Sequence, residues 1–130
     1  MKITFTLILF CVLSIAFAQQ KTISRKDLQT ALIEQKVKTV EIQEITFPAG
    51  QHAPEHLHPC PVVGYIKSGS ARFQIAGAEP VILKAGESFY EPKDATILHF
   101  DNASENEELT FVAFYLKESN EEKVKLISPK

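Results

Sequence analysis

Two histidines separated by one residue, His56 and His58, are the clearest chemical feature of the chain, and they lie in the stretch from Gly50 to Gly69. On a strand, positions i and i+2 face the same side about 6.6 Å apart, so two imidazoles can lean onto one metal ion at about 2.1 Å each. Pro59 favours an extended backbone at His58, because the residue before a proline avoids the helical region. The spacing therefore predicts a metal-binding pair; the alternative is two polar residues in a loop.

The first residues have the pattern of a secretory signal peptide. Lys2 is followed by an apolar run over residues 3–17 and by the small-x-small sequence Ala16-Phe17-Ala18. The run is shorter than the roughly 20 residues that span a bilayer, which argues against a transmembrane anchor. We expect residues 1–18 to be removed and residues 19–130 to form a single domain, located in the periplasm or secreted.

Composition limits the classes of function. The formal net charge is −2 and no basic cluster is present, which argues against binding to nucleic acid or, after signal cleavage, to an anionic membrane. Cys60 is the one cysteine beyond the signal peptide, so no disulfide can form within the remaining chain. An apolar core must therefore stabilise the fold.

The remaining pattern predicts strands after one short helix. Ser24 is a good N-cap, and Leu28, Ala31 and Leu32 follow at helical spacing, which predicts a helix ending near Lys36. Short apolar runs bounded by turns follow, and no helical pattern recurs between them, so we predict an all-β sandwich or barrel. The predicted strands cover residues 40–47, 62–66, 71–75, 81–83, 89–90, 96–100 and 109–116.

Two motifs in this order resemble those of the small cupins, over about residues 42–116. The matching residues are Gly50, His56, His58 and Gly69 in the first motif, and Gly86, Pro92 and Asn102 in the second. The resemblance implies a jelly-roll β-barrel with a pocket inside, and commonly a homodimer. With the N-terminal helix, the expected fold is an all-β cupin barrel preceded by one short helix.

Three positions depart from the family pattern. Val62 stands where the first motif has its glutamate, Ile97 where the second has its histidine, and Asp94 where it has a turn glycine. In the family, both histidines of the first motif, the glutamate and the later histidine bind a divalent metal. Of these four ligands only the two histidines of the first motif, His56 and His58, are present at the matching positions. Because Val62 offers no ligand atom, we predict weak metal binding, which the substitution Val62→Glu would strengthen.

Four further residues are candidates for a role in the site. His99 is two residues past the expected position and shares a strand face with Ile97 if the strand is regular, so we predict it as the third metal ligand, with a hydrogen-bonded histidine as the alternative. Cys60 is interpreted as a small buried hydrophobe rather than a ligand. Glu91 is the nearest acidic residue that could replace the missing glutamate, but we interpret it, like His52, as solvated.

A site of His56, His58 and His99 would leave the full +2 charge of the metal and open positions for an anionic oxygen ligand. Iron, manganese, nickel, copper and zinc all suit such a site. The resemblance then implies a metal-dependent enzyme for a small molecule, a dioxygenase or an isomerase. The alternatives are a non-catalytic small-molecule-binding cupin with a degenerate metal site, and a barrel with a structural role only.

Overall fold

The computed structural model describes residues 22–127, in which nine strands form two antiparallel sheets. The strands are β1 (Thr39–Phe47), β2 (His56–Leu57), β3 (Val62–Ser68), β4 (Ser70–Ile75), β5 (Val81–Lys84), β6 (Ser88–Glu91), β7 (Ile97–Asn102), β8 (Leu109–Lys117) and β9 (Lys125–Leu126). The first sheet has the order β1-β8-β3-β6 and the second β5-β4-β7-β2-β9. The predicted all-β class is confirmed, and the two-sheet arrangement is that of a jelly roll.

Period-two alternation places the core between the sheets. In β4, Ala71 and Phe73 are buried while Arg72 is exposed, as expected for a strand with one face on the core. Phe100 of β7 lies between Phe89 and Phe111 of the other sheet, at ring-centroid distances of 4.9 and 4.6 Å. These edge-to-face and tilted contacts join the two sheets.

The predicted helix over residues 24–36 is wrong, because the chain there has no helical turn and no helix occurs in residues 22–127. Leu32 remains 81% exposed and Leu28 48% exposed, so the apolar residues at helical spacing gain little burial. Instead the Ser88 hydroxyl donates a hydrogen bond of 2.6 Å to the carbonyl of Leu28. A helix of about a dozen residues is marginal without packing, and this segment has almost none.

Two turn positions of the second cupin-like motif, Gly86 and Asp94, have a left-handed backbone. Gly86 has a φ of 85°, and Asp94, at the position of the family's turn glycine, has a φ of 60°. Aspartate is among the few residues that enter the left-handed region at modest cost. The turn is therefore kept although the glycine is absent.

Asn102 at the end of the same motif fixes the loops at this end of the sheets. Its buried amide nitrogen donates to the carbonyls of Pro48 at 3.0 Å and Glu107 at 2.8 Å. Its oxygen accepts from the backbone N–H of Ser104 at 2.9 Å. One side chain thus satisfies backbone groups of two loops.

The predicted signal peptide lies outside the described residues. Within residues 22–127 there is no helix of the length and apolarity that crossing a membrane requires.

Candidate metal centre

A row of three side chains crosses the inner face of the first sheet. Tyr115 of β8, Val62 of β3 and Glu91 of β6 are direct partners on adjacent strands, so their side chains share one face. All three line a cavity between the sheets, and Val62 and Glu91 are only 1% and 3% exposed. Val62 therefore points into the cavity, and the Glu91 carboxylate lies beside it.

His56 and His58 face this row from the other side of the cavity. His56 is paired with Ile97 of β7 and with Leu126 of β9, and both histidines are buried. Their ring centroids are 5.0 Å apart, with the planes at 82°. The predicted convergence of the His-x-His pair is therefore present in the structure.

Glu91 completes a cluster with the two histidines. One ligand atom from each of His56, His58 and Glu91 lies within 4.8 Å of the other two. One of these approaches joins His58 Nε2 to a Glu91 carboxylate oxygen at 2.9 Å. Two imidazole nitrogens and one carboxylate oxygen form a donor set that holds zinc or non-haem iron in other proteins.

Backbone carbonyls orient both imidazoles. His56 Nδ1–H donates to the carbonyl of Pro54 at 2.8 Å, and His58 Nδ1–H donates to the carbonyl of Lys123. A carbonyl can only accept, so Nδ1 keeps the proton and Nε2 is the atom directed into the cluster. Metal-binding histidines commonly have this second hydrogen bond, and the residues present therefore fit a divalent ion.

The charge of Glu91 acts directly on His58. Burial lowers the pKa of His58, but the hydrogen bond and negative charge of Glu91 outweigh burial, so the pKa lies above its usual value. Where no metal is bound, the raised pKa favours the protonated imidazole of His58, 2.9 Å from the Glu91 carboxylate. The same attraction holds the two side chains together across the cavity.

The interpretation of Glu91 as a solvated residue is wrong. Glu91 is two residues after the buried Phe89 on the same strand, so period-two alternation directs it inward. The β3–β6 register then sets it opposite Val62, the position of the absent motif glutamate. The alternation was readable from the sequence, but the register was not.

His99 lies outside this cluster. Gln74 pairs with His99 and Ile75 with Ile97, so Leu98 is an extra residue that forms a bulge in β7. After the bulge Phe100, not His99, lines the cavity. His99 Nδ1 instead hydrogen-bonds to a carboxylate oxygen of Asp101 at 2.8 Å.

The other two sequence candidates also lie away from the cluster. His52 is largely exposed, with Nδ1 3.5 Å from the same Asp101 carboxylate, so the two histidines outside the cluster meet at one buried acid. Cys60 is fully buried in the core, and burial raises the pKa of its thiol. Its surroundings are those of a small hydrophobe.

The cavity beside the cluster has a volume of about 370 Å³. Tyr115 lines it with its ring centroid 5.8 Å from that of His58, and it is a residue that the sequence did not single out. Burial, and next the charge of Glu91, raise the pKa of Tyr115 to about 12. Its hydroxyl therefore stays protonated at neutral pH.

The last described segment closes one side of the cavity. β9 pairs with β2, the N–H of Ile127 donates to the carbonyl of Glu55 at 3.0 Å, and Leu126 lines the cavity. Lys123 Nζ forms an ion pair of 2.6 Å with Glu41 of β1. The segment that supplies the carbonyl for His58 is thus held by one short ladder and one ion pair.

Comparison with known proteins gives one family and a set of similar folds. The profile described as "Cupin domain" matches residues 43–115. No curated protein matches the chain. The similar solved structures include a DMSP lyase from Ruegeria pomeroyi, with 22% identity over 67% of this chain and 42% of that one and a TM-score of 0.58.

Two further structures have the same TM-score of 0.58. An oxalate oxidase in complex with glycolate is 21% identical over 68% of this chain and 46% of its own. A cupin-like protein from Thermotoga maritima is 20% identical over 68% of this chain and 64% of its own. The chain therefore spans about half the length of the first two and less than two thirds of the third, and identities this low show the fold alone.

Proposed function

Because this chain belongs to the cupin family, and because His56, His58 and Glu91 converge on its cavity, we propose that these three side chains bind one divalent metal ion and that the protein acts on a small molecule in the cavity. The single observation that carries the proposal is the position of Glu91. Its carboxylate lies opposite Val62, so a neighbouring strand supplies the ligand that the first motif lacks.

The donor set narrows the chemistry. One glutamate reduces the net charge of a divalent site from +2 to +1, unlike the three-histidine set expected from the sequence. Sets of two histidines and one carboxylate suit iron(II) in oxygenases and zinc in hydrolytic enzymes, and manganese, nickel and copper accept the same donors. A bound ion would act as a Lewis acid and, if redox-active, would support oxygenation. We infer a dioxygenase as the first candidate and an isomerase as the second.

The residues of the chain have separate tasks in this proposal. The Pro54 and Lys123 carbonyls fix the imidazoles, so the ligand atoms are arranged before a metal binds. Glu91 neutralises part of the charge, and the phenylalanines around the cavity exclude water. The named activities of the similar structures, a DMSP lyase and an oxalate oxidase, support small-molecule chemistry as the general class.

Binding without turnover is the alternative to catalysis, and Ile97 favours it. This buried residue is paired directly with His56, at the position of the family's later histidine, so one expected ligand is absent. Oxygen consumption by the iron-loaded protein with an oxidisable ligand bound distinguishes a dioxygenase from a binding module, since a binding module consumes none.

Export and dimerisation complete the proposal. The signal-peptide pattern supports removal of residues 1–18 and release to the periplasm or medium. An intact mass equal to that of a chain beginning at Gln19 would verify the cleavage. The homodimer rests on family resemblance and on β1, an edge strand with Val40 and Ile42 exposed. Sedimentation giving a monomer at micromolar concentration contradicts it.

The metal site can be tested by removing the carboxylate of Glu91 from β6 and placing a new one at Val62 of β3. We expect Glu91→Val to weaken zinc binding by about a hundredfold, or about 2.7 kcal/mol, because one of three ligands is lost. Adding Val62→Glu should restore most of that affinity, because direct partners have Cβ atoms only about 5 Å apart. Calorimetric titration with Zn(II) and Mn(II), with metal analysis, measures both effects.

The matched control is Glu79→Gln, which removes an exposed carboxylate and should leave zinc affinity unchanged. Full affinity in Glu91→Val would show that Glu91 is not a ligand. A double variant as weak as Glu91→Val would show that Val62 does not face the two histidines closely enough.

A further inference from the structure

The walls of the cavity are mainly apolar, and four phenylalanines contribute to them. Phe47, Phe89, Phe100 and Phe111 line it together with Ile45 and Leu126, and its polar side chains beyond the metal cluster are Gln43 and Tyr115. None of the described residues that line it is a lysine or an arginine. If a ligand carried a second carboxylate that did not bind the metal, this group would therefore be buried without a counter-charge, which is costly.

The Tyr115 hydroxyl is a hydrogen-bond donor in this mainly apolar cavity. The residue is 6% exposed and lines the cavity, and its hydroxyl forms no hydrogen bond within residues 22–127. The hydroxyl is not among the buried polar atoms without a partner, since in residues 22–127 only Gln35 Oε1 is of that kind, so it is accessible from the cavity and can donate to a molecule bound there. The position is specific, since Val62 separates Tyr115 from Glu91 in one cross-strand row.

We propose that the cavity binds a small, mainly apolar and planar molecule with at most one negative charge, and that the Tyr115 hydroxyl donates a hydrogen bond to an oxygen of this ligand next to the oxygen bound by the metal. The inference rests on the proposed metal site. It disfavours small dicarboxylates as ligands and makes Tyr115 a specificity-determining residue. The cavity volume, about 370 Å³, is at the lower end of the range for ligand pockets and suits a single ring.

The test compares two probes that each carry neighbouring oxygen atoms, on zinc-loaded protein. 4-Nitrocatechol is planar, apolar over most of its surface and coloured, so its absorbance reports coordination; oxalate is a compact dicarboxylate. We expect 4-nitrocatechol to bind at least tenfold more tightly than oxalate, with oxalate measured by competition. Tyr115→Phe should weaken 4-nitrocatechol about tenfold, close to the value of one hydrogen bond, and leave zinc affinity unchanged.

Two further variants sharpen the result. Tyr90→Phe removes a hydroxyl from a tyrosine that alternates with Phe89 and Glu91 and does not line the cavity, so probe affinity should not change. Gln43→Arg adds the missing cation at an exposed position on the cavity wall and should narrow the preference against oxalate by about tenfold.

The outcomes separate the two proposals. A protein that retains no zinc overturns the proposed function and this inference together. A protein that binds zinc but prefers oxalate, or whose affinity for 4-nitrocatechol is the same in Tyr115→Phe as in the wild type, overturns this inference alone.

Discussion

A chain with both His56→Ala and His58→Ala is expected to take up no divalent metal, a loss of more than about a thousandfold in affinity, because a single carboxylate is left where three ligands converge. The double variant should also melt at a lower temperature, since Glu91 is then buried without its partner. Metal content after dialysis against Zn(II) and thermal melts by circular dichroism measure the two effects.

A third substitution separates the two effects. Adding Glu91→Val to the double variant removes the uncompensated charge and should recover most of the melting temperature without restoring metal uptake. The control is His52→Ala with His99→Ala, the two histidines that meet at Asp101. This control should bind zinc like the wild type. Loss of zinc uptake in the control would indicate that His99 is a metal ligand after all.

Gly64→Ala is expected to have the largest effect on stability, a loss of at least about 3 kcal/mol in the free energy of unfolding. A Cβ atom at Gly64 would lie 2.3 Å from the Phe89 ring and 2.3 Å from the Val112 carbonyl oxygen. The side chain can shift, but the carbonyl belongs to the β3–β8 ladder and can move only with its strand. Urea denaturation measures the loss.

Two comparisons identify the cause of this loss. Gly77→Ala places a methyl group where nothing lies within 4 Å, with a φ of 84°, and should cost only the backbone strain of about 1 kcal/mol. Gly64→Ala combined with Phe89→Leu should recover only part of the loss, because the carbonyl contact remains. Equal costs at Gly64 and Gly77 would contradict the packing argument.

Features that depend on neighbours in sequence were predictable from the sequence. The i, i+2 spacing of His56 and His58 determines their common direction, and alternation identifies strands such as β4. The turn at Asp94 kept its left-handed backbone because aspartate tolerates it. Each of these properties is decided within a few residues of chain.

Features that depend on pairing between distant strands were not predictable. The sequence indicated three histidines and no carboxylate, but Glu91 lies with His56 and His58, on a strand whose register against Val62 follows only from the folded sheet. With Glu91 present, Val62→Glu alone would bring two like charges together rather than supply a missing ligand. His99 is turned from the cavity by a single bulged residue, Leu98, which no local signal marks.

The short last strand has a consequence for kinetics. β9 is two residues long, so its opening breaks few hydrogen bonds and should be the least costly local unfolding at the cavity. The same opening withdraws the Lys123 carbonyl from His58 and uncovers the cavity beside Leu126. Ligand exchange and metal release are therefore expected to share one gating step, so their rates should rise together when Lys123→Ala removes the ion pair to Glu41, as stopped-flow measurements can establish. Faster ligand exchange in this protein would then be accompanied by shorter retention of its metal.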